Sequence, residues 1–472
     1  MGDHRIEKDT MGEVRVPADA LWAAQTQRAV ENFPISGLRF DRAFIHALGM
    51  IKWAAARANR ELGYLDEKTV DMICSACLEV ADGQLDAHFP LDIYQTGSGT
   101  STNMNANEVI ANRANILLGH PLGTKGPIHP NDHVNFGQSS NDVIPAAIHV
   151  AAMESIEKTL LPAMKKLQAA LAAKAKEFDP LVKTGRTHLQ DATPIRLGQE
   201  FSGYASQIEH GMRRVENLRP HLSELAIGGT AVGTGLNAHP KMAGMICEKL
   251  SKAYQIRFVE ATNHFEAQAA QDALVEASGA LKAVAVSCMK IANDLRILSM
   301  GPRAGLQEIT LPALQPGSSI MPGKVNPVIL EMVDQVCAQV IGNDAAITVG
   351  GITPGLDLAT MMPMMYHNLS QSIHLLAKAS EVWVDKCING ITANVEHLKR
   401  QSELSTAIVT RLNPVIGYEK AAEIAKESFK TGKTIKELVV EKGYLTKEKA
   451  AELLDPYSMT VQDAKYVASG GA

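Results

Sequence analysis

Residues 274–298 read LVEASGALKAVAVSCMKIANDLRIL, and Leu274, Ala277, Leu281, Val284, Cys288, Ile291, Leu295 and Leu298 advance by three and four without a slip. This is one face of a helix with a seven-residue apolar repeat, the pattern of helices packed side by side at shallow angles. The same stepping runs through Met153, Ile156, Leu160, Met164, Leu167 and Leu171, and through Phe201, Tyr204, Ile208, Met212, Val215, Leu218, Leu222 and Leu225. Further apolar helical runs occupy about 328–349 and 364–390. Together they predict helices of roughly 25 to 35 residues, about twice the globular mean, and so an all-α central bundle. Pro162 should kink or break the run that contains it. The small and apolar faces are too extensive to be covered within one chain, which predicts helix packing between subunits.

Outside these runs the pattern shortens. Residues 42–87 predict two helices broken near Gly63–Asp66, and Val14–Pro17 predicts a short extended piece. After about residue 395, Gly417, Gly432 and Gly443 punctuate short helices, and Thr434 and Glu437 have capping-box spacing, which predicts a small helical domain. Ser469–Ala472 is expected to be a frayed tail. The 472 residues exceed one ordinary compact domain, and a hydrophobic content of 46% supports a large core. A net charge of −5 offers no basic surplus for nucleic acid or an anionic membrane. No secretory leader or membrane span is visible at the sequence level. Cys74 and Cys77 have CxxC spacing but no second pair or neighbouring histidine, so they read as helix packing in a reduced, cytoplasmic protein.

Four polar segments interrupt the helices. They are Thr96-Gly97-Ser98-Gly99-Thr100, then His129-Pro130-Asn131-Asp132 with Ser139-Ser140-Asn141-Asp142, then Gly185-Arg186-Thr187-His188, and finally Gly317-Ser318-Ser319-Ile320-Met321-Pro322-Gly323-Lys324-Val325-Asn326-Pro327. Residues 92–107 and 120–142 carry too much capping chemistry to be helix interior throughout. Thr187 and His188 are expected in a polar turn before a long helix. The 317–327 stretch combines glycine, hydroxyls, an amide and a lysine, the ingredients of an anion-binding loop. Neither Thr96–Thr100 nor Gly228–Gly235 has the lysine of a phosphate loop, so nucleotide binding is rejected. Metal-ligand spacings of the zinc type are absent, and no cofactor is expected. Hydroxyls, amides, one lysine and one histidine suit a small polycarboxylate held by neutral donors and one or two charges. Glu331, just after the last segment, could hold and charge a histidine for proton transfer.

In this order, TGSGT at Thr96–Thr100, HPND at His129–Asp132, SSND at Ser139–Asp142, GRTH at Gly185–His188 and GSSIMPGKVNP at Gly317–Pro327 resemble the fumarase/aspartase superfamily, the metal-independent class II fumarases in particular. The resemblance covers nearly the whole chain. It implies a three-domain fold, with an N-terminal domain over 1–139, a long-helix bundle over 140–395 and a C-terminal helical domain over 396–472. The bundle would form the core of a homotetramer, with each site built from three subunits. The implied reaction is reversible hydration of fumarate to (S)-malate, a step of the tricarboxylic acid cycle. By the same resemblance Ser318 is the base, and His188 paired with Glu331 handles the leaving hydroxyl. Ser98, Gly99, Thr100, Ser139, Ser140, Asn141, Thr187, Ser319, Lys324, Val325 and Asn326 surround the substrate. His129, Pro130, Asn131 and Asp132 match a second dicarboxylate site, although glycine stands at 126, beside Lys125, where fumarases usually carry a basic residue. Asp357-Leu358-Ala359 replaces the family's Glu-Leu-Asn. Aspartate ammonia-lyase is the alternative. Its usual Gln at His188, Ala at Gly323 and GGAGT loop all differ from this chain.

Overall fold

The computed structural model describes residues 4–124, 126–353 and 355–466, so Lys125 and the Ser469–Ala472 tail lie outside the described residues. These residues are mostly helical, with four two-stranded sheets. They fall into two compact units. One comprises Met1–Pro162, Gly211–Ala285 and Val336–Ala377, the other Ala163–His210, Val286–Gln335 and Lys378–Ala472. Among the described residues no helix is long and apolar enough to cross a membrane.

In the first unit, His4–Asp9 and Gly12–Pro17 form an antiparallel hairpin, so the extended piece expected at Val14–Pro17 is its second strand. The helix Ala24–Asn32 follows. Its N-cap is Ala23, which has no side-chain oxygen to offer. Glu108 supplies the cap from another helix, accepting from the N–H groups of Ala23, Gln25 and Thr26. The helix Arg42–Glu61 is the centre of this unit, packing against Glu67–Ala81, Ser140–Ser155 and Met242–Tyr254. Asp41 caps its start by accepting from Phe44 N–H at 3.0 Å. Gly49 lets the neighbouring helix approach, because a Cβ there would lie 3.0 Å from the Cys77 carbonyl oxygen. Cys77 is buried in that contact, as the packing reading of the CxxC pair requires.

Pro162 does mark an irregularity. The helix Ser140–Ser155 widens into a π-turn at Ile156–Leu160 before Leu161–Glu177 begins. A π-turn before a proline accommodates the lost N–H without ending the helical path. The run read through Leu225 behaves differently. Its helix, Leu197–Glu216, stops at Glu216, four residues before Pro220, whose ring would meet that carbonyl. A four-residue helix, Arg219–Leu222, and the short strand Glu224–Leu225 complete the stretch. The three other long helices are present at Asp272–Leu298, Val328–Ile352 and Met362–Lys386, with 27, 25 and 25 residues.

In the second unit, the C-terminal segment has its own apolar centre, including Ile408, Leu412, Ile424, Leu438, Val439 and Leu454. Both halves of the Thr434–Glu437 capping box are formed.

His149 gives the first unit a pH response. Its Nδ1 lies 2.8 Å from the Glu224 carbonyl oxygen, and burial lowers its pKa from 6.5 to about 4. The folded chain therefore binds fewer protons at this ring than the unfolded chain between those values, so this contribution is complete above pH 6.5 and is lost as pH falls towards 4. His149→Gln should lose less stability than the parent between pH 7 and 4.5, by about 1–2 kcal/mol after discounting for partial exposure. Urea denaturation at both pH values measures this, and equal losses would contradict it.

Candidate active site

Three of the four polar segments lie at helix starts. Gly99, in the left-handed region at φ 72°, precedes the helix Thr100–Leu117, and Ser139 caps Ser140–Ser155. The 317–327 loop leads directly into Val328–Ile352. Helix N-termini carry free N–H groups and partial positive charge, so each segment is locally suited to an anion in a chain of net charge −5.

The first unit holds Ser98, Gly99, Thr100, His129–Asp132 and Ser139–Asn141. Ser98 Oγ and Thr100 Oγ1 are 2.8 Å apart. Gly97 is wedged against the chain, since a Cβ there would lie 1.8 Å from the Thr360 carbonyl oxygen. Met362 N–H donates to the Gly97 carbonyl at 3.1 Å. The Asp357-Leu358-Ala359 departure adjoins this wedge. Ala359 is buried, and its N–H donates to the Gln268 carbonyl.

Residues 92–107 are not helix throughout, as their capping chemistry predicts, and the helix begins only at Thr100. Asn103, Asn105 and Asn107 are completely buried on this helix. Asn103 Nδ2 donates to Ser140 Oγ at 3.0 Å, joining the first polar segment to the Ser139–Asn141 segment. Asn141 Nδ2 donates to the Ala231 carbonyl at 2.7 Å. Asp142 accepts from Ser139 N–H, Gly228 N–H and Thr230 N–H, so the Gly228–Gly235 loop braces the donor segment. His129 Nδ1 accepts from Asn131 N–H and Asp132 N–H within its own turn.

The second unit holds Thr187, His188, Ser318, Ser319, Lys324, Val325, Asn326 and Glu331. The polar turn at Thr187–His188 is the tip of a hairpin, Val182–Thr187 paired with Gln190–Arg196, and the long helix begins only at Leu197. His188 and Leu189 both have positive φ, 55° and 60°, the signature of a tight I′ turn. Non-glycine residues in that region are strained by about 1–2 kcal/mol each. A buried charge cluster secures the first strand of the hairpin. Lys183 contacts Glu200 at 2.9 Å and Glu308 at 2.8 Å, and Arg186 contacts Glu308 at 2.6 Å.

The 317–327 loop is closed at its root by Gly317 N–H donating to the Lys324 carbonyl and Asn326 Nδ2 donating to the Gly317 carbonyl. Inside it, Ser318 Oγ accepts from Ile320 N–H at 3.2 Å and Met321 N–H at 3.0 Å. Two donors on one hydroxyl oxygen favour its deprotonated form. Ser319, Lys324 and Val325 are exposed. Among the described residues no ion pair joins His188 to Glu331 within one chain.

Sequence reading missed Lys52, Asn103 and the Lys183–Glu308 cluster. The available signal for Lys52 was a lysine four residues after Leu48 and three before Ala55 on an apolar helix face. Lys183 and Glu308 look like ordinary surface charges in sequence.

Known proteins match this chain over nearly its whole length. Residues 12–342 match the lyase family and residues 408–461 the fumarase C C-terminus. A class II fumarate hydratase of Halobacterium salinarum is 57% identical, with 97% of each chain covered. Another from Mycobacterium tuberculosis is 55% identical over 96% of this chain and 94% of its own. A class II fumarase structure from Schistosoma mansoni matches at TM-score 0.94 and 38% identity, covering 97% of this chain and 99% of that one. Fold and donor segments together define a helical lyase of the fumarase/aspartase type. Nearly full-length identity then narrows the class, and the chain belongs to the class II fumarases of the lyase family.

Glu308 neutralises two cations where water is scarce. Glu308→Gln should destabilise the chain by about 2–3 kcal/mol, the cost of weakening two charge-assisted hydrogen bonds while Lys183 keeps Glu200 as a partner. Chemical denaturation is the measurement, and a loss below about 1 kcal/mol would show that the cluster does not brace the hairpin.

Proposed function

We propose that this chain is a fumarate hydratase, interconverting fumarate and (S)-malate within the tricarboxylic acid cycle. The observation that carries the mechanism is the pair of backbone N–H groups on Ser318 Oγ. In the malate-to-fumarate direction, the Ser318 alkoxide takes the C3 proton. The electron pair left on C3 is delocalised into the adjacent carboxylate as an aci-carboxylate. That doubly charged group is where preorganised donors contribute most. Lys324 and Asn326 hold this carboxylate, with Ser319 and Val325 beside it. Collapse of the aci-carboxylate forms the C2–C3 double bond and expels the C2 hydroxyl. His188, paired with Glu331, supplies the proton that lets hydroxide leave as water. Ser98, Gly99, Thr100, Ser139, Ser140, Asn141 and Thr187 provide the remaining donors and walls.

His188 and Glu331 come together in this reading only when one subunit faces another. Support comes from apolar side chains left open on the long helices, Val349 in the first unit at 59% exposure and Val286 in the second at 54%. We read these faces as the buried core of a homotetramer, with domains 1–139, 140–395 and 396–472 and a central bundle. The His129–Asp132 turn is read as a second dicarboxylate site. Six free cysteines suit the reducing cytoplasm.

Fumarate absorbance distinguishes the substrates. Malate should give fumarate and aspartate should give none, and turnover of aspartate alone would overturn the assignment. Ser318→Ala should lower kcat by about a thousandfold while the protein remains folded. Unchanged malate turnover in that variant would remove Ser318 as the base.

A further inference from the structure

A lysine lies buried beneath the first-unit donor segments, and the mechanism above does not use it. Lys52 is 0% exposed on the central helix Arg42–Glu61. Its Nζ donates to Asn135 Oδ1 at 2.8 Å and Gln138 Oε1 at 3.0 Å. Both acceptors belong to the turn that leads into Ser139. With their oxygens turned to the ammonium, the amide nitrogens fold the turn back on itself. Asn135 Nδ2 donates to the Gln138 carbonyl at 3.2 Å, and Gln138 Nε2 donates to the Val134 carbonyl at 3.1 Å. Asn103 then links Asn135 to Ser140, donating to Asn135 Oδ1 at 3.3 Å and Ser140 Oγ at 3.0 Å.

We infer that Lys52 is a positioning residue for substrate binding, fixing Asn135 and Gln138 so that Ser139, Ser140 and Asn141 present their donors to a dicarboxylate. This deepens the fumarase reading and rests on it. A lysine suits the task because one ammonium can bond several oxygens at once and so orient two amides together. It also leaves a positive charge under a segment assigned to an anion. Burial pulls the Lys52 pKa down to about 7, while Asp142 and Cys77 act to raise it. The two amide oxygens supply local solvation for the ammonium in place of water.

The test uses the full-length assembled protein, with succinate as a four-carbon dicarboxylate that cannot undergo hydration. Lys52→Met should keep the helical circular dichroism spectrum and bind succinate about tenfold or more weakly by calorimetry, because the donors are no longer held in register. KM for malate should rise to a similar extent, with kcat changing less than about threefold. Binding and KM within about twofold of the parent in a folded Lys52→Met variant would overturn the proposal. So would a fall in kcat that only follows the unfolded fraction. If Lys52→Met does not fold, Gln138→Leu removes one acceptor and keeps the lysine. It should weaken succinate in the same direction, and unchanged binding there also overturns the proposal. Parent protein that binds succinate but does not hydrate fumarate would defeat the functional reading while leaving Lys52 tested. Parent protein that binds no succinate would defeat both.

Discussion

Asp142 is the anchor on which the first unit's donor segments depend. It is completely buried, and its carboxylate accepts three backbone N–H bonds, from Ser139, Gly228 and Thr230. Only a short side chain with two acceptor oxygens and no donor can serve three amides from two separate loops. Burial raises its pKa to about 6, while the three N–H bonds and Lys52 act in the opposite direction. The carboxylate therefore stabilises its surroundings through hydrogen bonds rather than as an isolated buried charge, which would be prohibitive. A Gly-rich loop and a helix N-terminus are tied together as a result.

The second unit divides its task differently. The hairpin that carries Thr187 and His188 is held along its first strand, where Glu308 joins Lys183 and Arg186, and is strained and exposed at its tip. The 317–327 loop lacks such a buried anchor. Its root is closed by bonds among Gly317, Lys324 and Asn326, while Ile320 is 83% exposed. Local stability should therefore fall steeply from the hairpin's first strand to the loop. This suits the roles proposed above, in which Ser318 must meet substrate and then release product while the groups on the firmly held elements only orient it.

What the sequence revealed follows from which physical signals are periodic. Asp272–Leu298 was legible because buried apolar residues repeat every three and four positions. The Val182–Arg196 hairpin was not, because the buried residues of its first strand are Lys183, Thr184 and Gly185 in succession rather than alternating apolar residues. The run through Leu225 was over-read because Leu218, Leu222 and Leu225 keep helical spacing after Pro220 has ended the helix. The polar segments were visible for the opposite reason, since hydroxyls and amides clustered at helix breaks have no place in a core.

The least legible residues were the buried charges. Lys52 and Glu308 have the side chains of surface residues, and only their partners show why burial is tolerated. Composition alone gives a net charge of −5, which would repel a dicarboxylate at long range. Binding such a ligand therefore requires positive potential to be concentrated locally. In the first unit the sources are two helix N-termini and the buried Lys52 ammonium; in the second they are the start of Val328–Ile352 and Lys324. Helix termini provide this potential without adding net charge, and a buried lysine provides it with less screening than a surface lysine. An acidic chain can therefore present an anion site only if its fold aims helix starts and protected cations at the same segments, and those are the segments where this sequence breaks its apolar repeat.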